Sequence, residues 1–154
     1  MTHDILGDVE QSDGHPFDAT AVVRHSSRAI KVGIIRDDQP LQTTLNLAAE
    51  VVGRLAELDK RARGIAVADL RDTYNDGWNE DDEAQEDGSL KTITNPQLSE
   101  AEFEAKLSLR AVNVTGDRMI DFFYDNENIF WGHSVVVNSL NGVDFSEAHA
   151  ELFG

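Results

Sequence analysis

The sequence predicts an α+β protein with antiparallel sheet of about six to seven strands and two to three helices, in the order βββααα then ββββ. Three observations predict it. Residues 19–25 (ATAVVRH) and 29–36 (AIKVGIIR) are β-branched runs of strand length. From Leu41 the apolar residues recur at three and four positions, the period of a helix with one buried face. After residue 107 short apolar runs return, separated by Gly and Asn turns. Strands grouped on both sides of the helices favour a sheet covered on one face. The 154 residues are expected to form a single domain, 1–154, long enough to bury a core without a disulfide or structural metal.

The first three strands read as a meander: Ile5–Glu10, a turn at Gly14–Pro16, then 19–25 and 29–36 joined at Ser26 and Ser27. Leu41, Leu45, Ala48, Ala49, Val52, Leu55 and Ala56 predict one helix of about six turns. Pro40 suits its start, where no intrahelical hydrogen bond is lost, and Gly64 is expected to stop it. A second, shorter helix follows from Ile65, with Ala66, Leu70 and Tyr74 on one face. A third starts at Ser99, where Ser99 and Glu102 form a capping box and Leu98 staples to Phe103. Leu107, Leu109, Val112 and Val114 form a strand with a bulge near Ala111, turning at Thr115–Asp117 into Met119–Tyr124. The polar loop Asp125–Asn128 leads to a strand over Trp131–Leu140. Asn141-Gly142 then predicts a type I′ hairpin into Val143–Leu152.

Between the helices and the last strands, residues 75–88 (NDGWNEDDEAQEDG) hold seven acids and no base. Such a run repels itself and buries little, so it reads as a solvated acidic loop inside the domain. The whole chain carries a formal charge of −16, which repels phosphate backbones and anionic lipid and argues against nucleic acid or membrane as partner. Absence of cysteine excludes thiolate catalysis, Cys-ligated zinc and iron–sulfur clusters. Neither a secretory leader nor an apolar run of membrane-spanning length is evident, so a cytoplasmic location is expected.

Three stretches together resemble a known family: Leu70–Trp78 (LRDTYNDGW), the helix-then-strand Leu98–Leu109, and FFYD at 122–125 followed by FWGH at 130–133. The combination is similar to the bacterial domain-of-unknown-function family 2262, from about residue 65 to the end, with the N-terminal meander agreeing in outline. Asp72 and Thr73 stand where a more apolar residue is expected, Gly77 precedes Trp78, and the acidic stretch is long. The resemblance implies a small intracellular α+β domain and brings no established activity or catalytic residues. By analogy, domains of this general type include immunity partners of bacterial toxins.

The leading functional expectation is a non-catalytic binding module whose acidic face meets a basic protein. Asp76, Trp78, Glu80, Asp81, Asp82 and Glu83 would supply that face, with Phe123 and Trp131 as aromatic contacts. An immunity-type inhibitor of a basic toxin such as a nuclease is its most concrete form. No cofactor is expected. Two alternatives compete. A small hydrolase would use His133 as a general base with Asp121 or Asp125, although no nucleophile motif or second metal-ligating His accompanies them. A divalent-cation loop over 72–83 would use Asp72, Asp76 and Glu83, but Tyr74 occupies a position that calls for an oxygen ligand.

Overall fold

The computed structural model describes residues 1–12 and 15–154. Its strands are β1 (Thr2–His3), β2 (Gly7–Gln11), β3 (Ala19–His25), β4 (Arg28–Ile35), β5 (Glu80–Ala84), β6 (Leu90–Thr94), β7 (Ser108–Thr115), β8 (Met119–Asp125), β9 (Ser134–Ser139) and β10 (His149–Phe153). The helices are α1 (Leu41–Gly53), α2 (Leu55–Thr73) and α3 (Glu100–Ala105). Eight strands make one sheet in the order β1-β2-β3-β4-β7-β8-β9-β10, and β5 and β6 pair as a separate hairpin. The class is the expected α+β, but both strand number and pairing differ from the sequence reading. The sheet is mixed, because β4 and β7 run parallel. The segment between them carries all three helices, and a parallel pair requires a long crossover of this kind.

Strand alternation sorts the sheet into two faces. Ile30, Val32 and Ile34 of β4, Val112 and Val114 of β7, and Ile120, Phe122 and Tyr124 of β8 are buried under the helices. Helix α1 packs on β4 and β7, and α2 on β9 and β10. The opposite face carries the intervening residues, among them Asp121, Phe123 and Asp125.

Four local expectations are corrected. The long helix breaks at Arg54 (φ −116°, ψ 21°), not at Gly64, which lies inside α2. Gly53 has the lowest helix propensity next to that break, and the change of direction lets both helices bury Leu45, Val51, Leu58 and Ala62. The strand expected from Trp131 begins only at Ser134, since Trp131 (φ 53°) and Gly132 (φ 88°) cannot join a ladder. Asn141-Gly142 makes no two-residue hairpin, for Gly142 has a positive φ and Asn141 does not. A longer connection carries Phe145 into the core against Phe122, with ring centroids 5.7 Å apart, before β10 starts at His149. Finally, the acidic stretch is not a loop throughout. It ends α2 as one wide π-helical turn, Tyr74–Trp78, and then forms β5.

Other expectations hold. The capping box is present: Ser99 Oγ accepts from the Glu102 amide at 3.2 Å and Glu102 Oε1 from the Ser99 amide at 3.0 Å. The bulge in β7 lies between Leu109 and Ala111. Pro40 is the N-cap of α1. Of the expected Gly14–Pro16 turn, Gly14 lies outside the described residues.

Candidate functional site, an aromatic cleft beside an acidic hairpin

Asp87-Gly88 turns the acidic hairpin. The Gln85 amide donates to the Ser89 carbonyl at 2.8 Å, Gly88 takes φ 84°, and Asp87 Oδ1 accepts from both the amide and the hydroxyl of Ser89. Those bonds hold the Asp87 carboxyl below its ordinary pKa. Across the ladder Asp82 faces Thr92, Glu83 faces Lys91, and Asp81 faces Ile93. Two asparagines fix the hairpin to the end of α2. Asn75 exchanges bonds with the Leu98 backbone at 2.8 and 3.0 Å, and the buried Asn79 donates to the Asn95 carbonyl at 3.0 Å.

Beside the hairpin, the segment 126–133 carries a second group of aromatics. Phe130 is fully buried and meets Tyr74, Trp78 and Phe103 edge-on, with centroids 5.8, 5.4 and 6.1 Å away. Trp78, half-buried, touches Trp131 at 4.7 Å and meets the His133 ring edge-on at 5.7 Å. Trp131 is 56% exposed. Its φ of 53°, with Glu127 at 54° and Asn128 at 62°, places a bulky side chain in the left-handed region, at about 1–2 kcal/mol for such a residue. Hydrogen bonds hold this arrangement: the Trp131 amide donates to the Asn128 carbonyl at 3.2 Å, the His133 amide to the Phe130 carbonyl at 3.0 Å, and the Asn126 side-chain Nδ2 to the His133 carbonyl at 2.7 Å.

Trp131 borders three hollows. One of about 480 Å³ lies against Trp78, Leu98, Glu102, Lys106 and Glu127. One of about 240 Å³ is formed with Thr73, Asp76, Gly77 and Trp78. The third, of about 520 Å³, is shared with Glu80, Asp81, Asp82 and Thr92 of the hairpin. Carboxylates outnumber the one ammonium, Lys106, which lies 3.7 Å from Glu127.

The structure therefore brings Asp76, Trp78, Glu80, Asp81, Asp82 and Trp131 to one place. Glu83 is on the same hairpin, opposite Lys91. Phe123 is elsewhere, half-buried on the open face of the sheet with its ring 5.9 Å from that of Phe153. Among the hydrolase candidates, His133 and Asp125 line one hollow of about 340 Å³ with Arg110 and Ser134. Both Asp125 oxygens are engaged by arginine: Oδ2 by Arg28 at 3.1 Å and Oδ1 by Arg110 at 3.3 Å. Asp121 is four residues earlier in β8 on the open face, where Asn138 donates to it at 2.6 Å. Burial raises the Asp121 carboxyl pKa, and that donated bond opposes the rise. Of the candidate cation ligands, Asp72 lies in the last turn of α2 beside Arg71, while Glu83 projects from a strand and not from a coordinating loop. Among the described residues no three acidic or His side chains converge in a group that could hold a metal.

A second polar cluster was not foreseen from the sequence. Asp59 of α2, only 6% exposed, accepts from Tyr124 Oη at 2.6 Å and Arg63 Nε at 3.0 Å on one oxygen, and lies 2.9 Å from His25 Nε2 on the other. Arg63 also donates to the Leu107 carbonyl at 2.6 Å. Every one of these partners is part of the protein, so the cluster ties β3, α2, β8 and Leu107, the residue before β7, together. Its one signal in the sequence is a carboxylate on the apolar stripe of a helix, one residue after Leu58 and three before Ala62.

The family model for DUF2262, described as an uncharacterized protein conserved in bacteria, matches residues 3–149. The chain belongs to the DUF2262 family. The match runs from residue 3, in the N-terminal strands, to residue 149, where β10 begins, and within it lie both the hairpin and the Trp78–Trp131 cleft of this DUF2262 chain. No curated protein and no solved structure matches the chain. Among the described residues no helix is long and apolar enough to cross a membrane.

Proposed function

We propose that this protein is a non-catalytic intracellular binding module, and that the acidic hairpin with its aromatic cleft docks a basic protein. An immunity-type inhibitor of a basic toxin is the form that fits best, because opposite charge speeds encounter and cancels the field a nuclease uses to hold its substrate. One observation carries the reading. A large indole stands 56% exposed at a backbone angle that disfavours it, on the border of three hollows rimmed by carboxylates. The fold gains little from Trp131 there, so its backbone strain is best explained by contact with something else. The hydrolase reading has less support, since Asp125 is already bound by two arginines and no carboxylate bonds to the His133 ring among the described residues.

Trp131→Asn separates the two roles. Asparagine accepts the left-handed region readily, so the strain relieved offsets the lost contact with Trp78 and stability should change by less than about 1 kcal/mol. Partner capture should fall at least about tenfold, as for an interface hot spot. Thermal melts and quantitative capture from lysate of the source bacterium measure the two effects. A large stability loss with capture unchanged would make Trp131 a structural residue and remove the main support for docking at the cleft.

A further inference from the structure

We propose that the exposed face of Trp131, with Glu80 and Asp82, is a seat for one guanidinium group, an arginine side chain presented by the basic partner. This rests on the docking reading above and specifies the side chain it admits. The indole packs against Trp78 at 4.7 Å with planes 52° apart, which leaves part of its surface to solvent. In front of it lies the 520 Å³ hollow, lined by Gly77, Glu80, Asp81, Asp82 and Thr92 and, among the described residues, by no Lys or Arg. Glu80 and Asp82 are two residues apart on β5 and so share a face of the hairpin. The Thr92 hydroxyl donates to Asp82 Oδ1 at 2.8 Å, which orients that carboxylate and leaves its second oxygen without a protein donor among the described residues.

Charge complementarity selects a cation, and the combination of an aromatic plane with flanking carboxylates selects its shape. A guanidinium is flat, weakly hydrated and carries several N–H donors, so it can stack on the indole while donating sideways to carboxylates. An ammonium gains the charge attraction but cannot stack, and a neutral urea of the same shape stacks but gains no charge attraction.

The chain has two tryptophans, and both are in this cleft, so intrinsic fluorescence of the intact protein reads the site directly. The probes are blocked tripeptides with arginine, lysine or citrulline between two glycines, titrated at low ionic strength. The arginine peptide should give a saturable change, binding about three- to tenfold more tightly than the lysine peptide, with no saturation for citrulline. The double variant Glu80→Gln with Asp82→Asn should keep its melting temperature and lose at least about tenfold in arginine affinity. Equal binding of arginine and lysine, or saturation by citrulline, overturns the guanidinium seat. If the arginine peptide fails while the protein still captures a basic partner in a salt-dependent way, the seat falls and the docking reading stands. If the arginine peptide binds as expected and no partner is captured, the seat stands and the docking reading falls.

Discussion

Asp59→Ala is expected to lower folding stability by about 3–5 kcal/mol, the loss typical of breaking a buried charge cluster from one side. The carboxylate is the shared acceptor for Tyr124, Arg63 and His25 at 2.6, 3.0 and 2.9 Å. Its removal strands the Arg63 guanidinium near the Tyr124 ring, 5.4 Å from its centroid, with the Leu107 carbonyl its one remaining acceptor among the described residues. Replacing one partner costs more than the hydrogen bonds themselves, because the remaining buried groups keep their desolvation penalty. Denaturant titration measures the change, and a loss under about 1 kcal/mol would show that water or a rearranged side chain takes over the acceptor role.

The same cluster sets an alkaline limit. Burial and the Asp59 charge raise the Tyr124 hydroxyl far above its ordinary pKa of 10.0, so it stays protonated in the folded protein. The sign follows from linkage: the contribution is fully present below the unfolded value and is lost as pH rises above it, at about 1.4 kcal/mol per pH unit. The melting temperature of the protein should therefore decline above about pH 10, and less steeply in Tyr124→Phe. Equal slopes in the two proteins would place the alkaline sensitivity elsewhere.

Phe130→Ala is the second large expected effect, about 3–5 kcal/mol for a fully buried aromatic. Phe130 is fully buried and touches three other rings, Tyr74 and Trp78 of the π-helical turn that follows α2 and Phe103 of α3. Trp78 rests on it, and Trp131 rests on Trp78. The variant should thus lose both stability and the aromatic cleft, with a change in tryptophan fluorescence in the folded protein. Phe130→Leu, which conserves most of the volume, should restore much of the stability. Stability lost without any change at the tryptophans would show that the cleft is supported from elsewhere.

What could be read from the sequence was local. The Ser99–Glu102 capping box needs four consecutive residues, and the alternation of Ile120, Phe122 and Tyr124 with Asp121 and Phe123 needs one strand. The parallel pairing of β4 with β7 joins residues about eighty apart, such as Lys31 and Ala111, and no local pattern encodes it. Asn141-Gly142 is a strong hairpin signal that lost to the burial of Phe145, a tertiary gain larger than a turn preference. The acidic hairpin was missed because Glu and Asp are poor strand formers and their charge reads as disorder. Its signals were on the other side: Asp87-Gly88 is a turn dipeptide, and Thr92-Ile93-Thr94 is a β-branched run. The binding candidates Trp78, within the acidic stretch, and Trp131, within an aromatic cluster, are legible separately in the sequence, but their contact at 4.7 Å and the positive φ of Trp131 depend on three-dimensional placement. Asp59, Arg63, His25 and Tyr124 come from three separate elements, so their cluster is visible only once the sheet and α2 are assembled.

The central claim is that the carboxylates of the hairpin dock a basic protein. The most direct test compares the wild-type protein with a variant in which Glu80, Asp81, Asp82, Glu83, Glu86 and Asp87 are changed to Gln or Asn, as baits in bacterial lysate at low and high salt. The account predicts a stoichiometric basic protein retained by the wild type at low salt, released at high salt, and absent from the neutralised variant with its melting temperature preserved. Retention of the same partner by both baits at both salt concentrations would contradict it.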